Sequence, residues 1–197
     1  MSILDSLQNQ ISGPAMAAIA GKLGVPPEQA QNAVATALPL LLGALGRNAS
    51  QPQGAQDLHR VLSEDHAGLN TDSVTQQAIS GANPGLGTSI LGHIFGSQQP
   101  AASQGLGQAT GLGSAGAQQL LGILAPIVMA HMGQQVSQSG MNATGLGQVL
   151  GQETQRIAQS SGHSLLNAVF DRDGDGKVGL SDLMKIGGGL LGGNRQN

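Results

Sequence analysis

Between residues 30 and 51 apolar side chains return at helical spacing, with Val34, Leu38, Leu41, Leu42 and Leu45 at i, i+4, i+7, i+8 and i+11. That places them on one face of a 3.6-residue period and predicts a helix with that face in a core. Residues 117–138 keep the stripe with Leu121, Ala125, Val128, Met129 and Met132. This second stretch adds Leu120, Leu124 and Ile127 on other faces, which predicts the more deeply buried helix. Pro26 and Pro27 ahead of Glu28 read as a helix start, where proline gives up no needed hydrogen bond. Pro39 and Pro126 each remove a bond in mid-segment, predicting a kink or a split into two helices. No stretch alternates strictly between apolar and polar residues, so the expected class is all-α.

The two periodic stretches also match each other. Residues 30–51 align without a gap on 117–138, sharing an Ala-Gln start, an interior proline, Gly46 with Gly133, and a Ser-Gln ending. Farther on, LHRVL from Leu58 matches LGQVL from Leu146, and ILGHIFG from Ile90 matches LLNAVFD from Leu165, in the same order. Such ordered self-similarity points to a duplicated unit. The expected organisation is a first helical repeat over 1–100, with a loop insertion at about 67–85, and a second over 101–170. A helix–loop–helix over 162–192 and a tail at 193–197 follow. Glycine-rich stretches at 81–87 and 96–107 read as loops or a linker.

Composition sharpens this picture. Glycine supplies 32 of the 197 residues, about twice the usual share. Phe95 and Phe170 are the whole aromatic complement. Without large rings the core must come from aliphatic residues, Met and Ala, so helices are expected to approach closely over small residues. Cysteine is absent, which removes disulfides and thiolate chemistry. A formal charge of −3 with eight scattered bases argues against a nucleic-acid footprint. The start of the chain has no basic region and carries Asp5, unlike a signal peptide. The most apolar runs, 33–46 and 120–133, read as too short to cross a bilayer. A cytoplasmic protein without a membrane span is the default, with export or surface association left open.

Candidate chemistry concentrates in DRDGDGKVGLSD, which begins at Asp171. Asp171, Asp173, Asp175 and Asp182 stand at positions 1, 3, 5 and 12. A calcium ion takes six to eight oxygens, and this spacing wraps a short backbone around one. Gly176 stands where the turn requires positive φ, and Lys177 would contribute its backbone carbonyl. Gly179 has no side chain to offer, so water would complete the shell, and Val178 is the apolar anchor of the loop. The segment is EF-hand-like, but Asp182 stands where EF hands prefer Glu, as in dockerin modules. The flanks fit a helix–loop–helix, with Leu165, Leu166, Val169 and Phe170 before it and Leu180, Leu183, Ile186 and Leu190 after it. Asp171, Asp173, Asp175, Lys177 and Asp182 are therefore the expected metal ligands. The first copy has no counterpart loop, so Val178 packs on its own body or pairs with a second chain in a homodimer. Four carboxylates around one point repel, so metal is expected to order the loop, as a structural staple or as a sensor.

Other candidates are weaker. His59 and His66 flank Glu64 and Asp65 but read as a solvated surface, while His93 and His131 read as core-edge residues. His163 beside serines has no catalytic spacing, and GLGQATG at Gly105 imitates a phosphate loop with the wrong spacing. The ordered segments GVPPEQAQNAVATALPLLLGALGRNA, ILGHIFG and DRDGDGKVGLSDLMKIGGGLL resemble the bacterial domain of unknown function 937 family and, more distantly, YidB-type proteins. That resemblance implies a bacterial, all-helical protein and transfers no catalytic residues. The YidB-type likeness to homeodomains implies regulatory DNA binding as the alternative function. The leading expectation is a non-enzymatic, calcium-binding helical protein that acts as a structural or protein-interaction module.

Overall fold

A computed structural model of the chain describes residues 2–64 and 70–159. Every regular element among them is helical: α1 (Ile3–Gln10), α2 (Pro14–Leu23), α3 (Pro27–Ala49), α4 (Pro52–Glu64), α5 (Thr71–Ser80), α6 (Pro84–Phe95), α7 (Gln99–Thr110), α8 (Gly113–Ser139) and α9 (Ala143–Gln159). One turn of 3₁₀ helix, Gly96–Gln98, joins α6 to α7.

The core forms where sequence periodicity put it. Val34, Leu38, Leu41, Leu42 and Leu45 are all buried on α3, as are their five counterparts on α8. Leu120, Leu124 and Ile127 are buried too, so α8 hides several faces and stands at the centre. It packs against α3, α4, α5, α6 and α7, while α9 lies along α3 and α4. The apolar run at 120–133 thus belongs to a helix of 27 residues, lengthened at both ends by Gly, Ala, Ser and Gln. By length and composition alone α8 is long and apolar enough to cross a bilayer, as buried core helices of globular proteins also can be. In this fold most of its apolar window is covered by protein.

Neither interior proline splits its helix. Pro39 frees the carbonyl of Ala35, which lies on an exposed face where water can take the bond. Pro126 frees the carbonyl of Gly122, and there α6 closes in. Gly87 stands so near that a methyl group on it would collide with the Gly122 carbonyl, leaving room only for a Cα–H contact. Gly46 of α3 meets Thr154 and the Leu150 carbonyl of α9 in the same manner. Small residues sit where helices touch, as a core almost without aromatics requires.

Three stretches read as loops contain helix; in 81–87, residues 84–87 already belong to α6. Residues 96–107 form the 3₁₀ turn and most of α7, because Pro100 suits a first turn and Ala102 and Leu106 are fully buried. The supposed insertion at 67–85 carries α5, capped by Asn70, whose Oδ1 accepts from the backbone N–H groups of Asp72 (2.9 Å) and Ser73 (3.1 Å). Helix α1 opens on a capping box, in which Ser2 Oγ accepts from Asp5 N and Asp5 accepts from Ser2 N. Interaction of the Asp5 carboxyl with the Ser2 side chain, and then with the Ser2 backbone N–H, holds its pKa below the ordinary value.

Candidate functional site

Asp171, Asp173, Asp175, Lys177 and Asp182 lie outside the described residues, as do His66, His163 and the helical flanks proposed around the acidic loop. Among the described residues no group of three or more His, Asp or Glu side chains comes together to hold a metal.

The three described histidines have separate environments. His59 on α4 points its Nε2 at the Met141 carbonyl, 2.7 Å away, so that nitrogen carries the proton and donates. Its Nδ1 lies 3.4 Å from Ser63 Oγ. His93 is exposed in the last turn of α6, with Nδ1 2.8 Å from the Ser89 carbonyl, rather than at a core edge. His131 is buried on α8, and its Nε2 has no hydrogen-bond partner among the described residues. Burial lowers its pKa from the ordinary value, which keeps the ring neutral. The GLGQATG stretch lies on α7 and in the glycine that ends it, so no phosphate loop forms there.

Two polar features escaped sequence reasoning. Glu153 of α9 is 3% exposed, and its Oε1 accepts the backbone N–H of Leu4 at 3.1 Å, from a helix 149 positions away. Its Oε2 lies 3.6 Å from Arg156 Nη1. One buried carboxylate therefore satisfies a first-turn donor of α1 and moors that helix to α9. The signal was present: Leu146, Leu150, Glu153 and Ile157 follow one helical stripe, with an acid at an apolar position.

The second feature is a cleft of about 600 Å³ between α2, α5, α6 and α8. Val74 and Ala78 of α5, Leu86 of α6, and Ile123 and Pro126 of α8 give it an apolar lining. Lys22 of α2 stands at one end, donating from Nζ to the Ser80 carbonyl at 3.1 Å. Asn83, Gln77, Gln118 and Gln119 line the cleft as well. Because four separated segments build it, no local motif announces it.

Lys22, Arg47, Arg60 and Arg156 lie on four different helices. Arg60 pairs with Glu64 at 3.9 Å and Arg156 with Glu153 at 3.6 Å, each within its own helix.

In comparison with known proteins, residues 5–135 match the family described as bacterial protein of unknown function, DUF937. No curated protein and no solved structure matches the chain. The matched region ends within α8 and leaves out α9, which nonetheless packs along α3.

Proposed function

We propose, for a chain that belongs to the DUF937 family of bacterial proteins of unknown function, a non-enzymatic role as a calcium-binding helical module. The observation that carries this reading is the spacing of Asp171, Asp173, Asp175, Gly176 and Asp182 within one twelve-residue segment. Three alternating carboxylates, a glycine where the backbone must turn sharply, and a closing acid constitute a donor set for a hard cation. The helix that precedes that segment in the sequence, α9, is anchored on α3 and α4. The structural or protein-interaction role proposed here follows from that arrangement: a metal-ordered terminus on a preformed body can present a surface or hold one in place. Regulatory DNA binding, which the distant YidB-type likeness suggests, gains no support from bases spread over four helices.

The duplication is part of the same proposal, and burial supports it. At one constant spacing Ile3 pairs with Ile90, Leu7 with Ile94, and Ile19 with Leu106, all of them buried. Gly24 and Gly111 keep that spacing, and each ends its helix in the left-handed region, at φ 67° and 71°. This reading makes α1–α4 one unit and α6–α9 the other, with α5 between them; it starts the second unit at α6 rather than at residue 101 and sets ILGHIFG against residues 3–9 in place of LLNAVFD.

Titration calorimetry of the full chain tests the metal assignment. The wild type is expected to bind one calcium saturably, with Asp171→Ala and Asp175→Ala each abolishing the heat. Absence of saturable heat from the wild type at about 1 mM calcium, beyond sensor affinities, would remove the proposal's basis.

A further inference from the structure

We infer that the cleft between α2, α5, α6 and α8 binds the carboxylate end of a short apolar peptide, with Lys22 holding the carboxylate. This site is separate from the calcium segment and goes beyond the function proposed above. Its size of about 600 Å³ falls within the range of ligand pockets, roughly 300–1,000 Å³.

The apolar part of the cleft has the makings of a side-chain pocket. Val74, Ala78, Ile123 and Pro126 line it, and Leu86, 46% exposed, is the large apolar side chain left open to solvent among the described residues. At the end formed by α2 stands a cation with spare donors. Lys22 makes no ion pair among the described residues, and its hydrogen bond to Ser80 O uses one of three ammonium protons. That bond directs the exposed ammonium toward the last turn of α5. Charge complementarity therefore calls for an anion at this end.

The amides choose the kind of anion. Asn83 and Gln118 make no side-chain hydrogen bond within the described residues, and the Gln77 amide uses its nitrogen on Ser73 Oγ while its oxygen stays open. These amides lie exposed along the cleft, and a fatty acyl chain offers them no hydrogen-bonding group. A peptide supplies N–H and C=O groups that bond an amide side chain in both senses. A dipeptide carboxylate with apolar side chains thus satisfies the cation, the amides and the apolar lining together.

The test uses nuclear magnetic resonance of the full chain in calcium-free buffer, so the outcome is independent of the metal proposal. N-acetyl-Leu-Leu is the probe, beside its carboxamide form and decanoate. The free peptide is expected to shift the backbone amides of Val74, Gln77, Thr88 and Ile123 saturably. Amidation of the peptide, or Lys22→Met, is expected to weaken binding about tenfold or more, and Lys22→Arg to restore it. The amidated peptide tests the same contact on an unaltered protein, so the result stands even where a variant folds poorly. Equal binding of free and amidated peptide, tighter binding of decanoate, or no saturable shift at about 10 mM peptide would each overturn the inference.

Discussion

At Gly87 and Gly92 the same helix asks opposite things of the same residue type. Gly87 faces the Gly122 carbonyl with no room for a methyl group, whereas no atom of another described segment lies within 4 Å of the position a Gly92 methyl would take. Gly87→Ala is expected to cost about 1–3 kcal/mol because backbone must move. Gly92→Ala should add about 0.5–1 kcal/mol from helix propensity alone. Urea denaturation of both variants reads the difference in sign, and equal effects would mean that α6 does not sit so close to α8. His131 offers a second single-residue test. Its folded pKa lies below the ordinary 6.5, so between the two values the unfolded chain binds more protons. Its contribution is complete above about pH 6.5 and is lost as pH falls through the folded value. His131→Leu removes a buried ring nitrogen without a partner among the described residues, and should stabilise the protein at pH 7 by about 1 kcal/mol. The variant's melting temperature should also fall less than the wild type's between pH 7 and pH 5. Parallel declines would show that the ring is solvated.

Among the elements, α1 depends most on a single contact, the Glu153 carboxylate against the Leu4 N–H. Glu153→Ala leaves that donor without its partner and should loosen the helix by about 1–3 kcal/mol. Hydrogen exchange is expected to accelerate across α1 while α8 keeps its protection; unchanged exchange in α1 would show that Ile3 and Leu7 hold it unaided. The long helices α3 and α8 were legible in the sequence because each carries an apolar stripe, and α3 also opens on Pro26 and Pro27. Their continuity through Pro39 and Pro126 was not, since it depends on where the freed carbonyls end up in three dimensions. Helices α5 and α7 were missed because Ser, Gln and Gly dilute their apolar positions. On α7 only Ala102 and Leu106 are fully buried, and its packing on α8 does what local propensity does not. The Asn70 cap of α5 was readable in principle, as was the acid in the apolar stripe of α9. The Lys22 cleft was not, because Lys22, Val74, Leu86 and Ile123 meet only after the helices pack.

Taken whole, the molecule joins a helical body to an acidic segment beyond α9. The body is interleaved, since α3 lies on α9 and α4 on α8, so the two proposed units share one core instead of forming separate domains. Leu38, Leu41, Leu121 and Leu124 belong to a single apolar cluster. The proposed calcium ligands all fall within the twelve residues 171–182. Residue-by-residue resonance shifts during a calcium titration of the full chain therefore test the central claim most directly. The amides of residues 171–182 should move together and saturate at one equivalent, with Asp175→Ala abolishing the change. If calcium at about 1 mM leaves those amides where they were, or shifts them equally in Asp175→Ala, the acidic segment is not a calcium site.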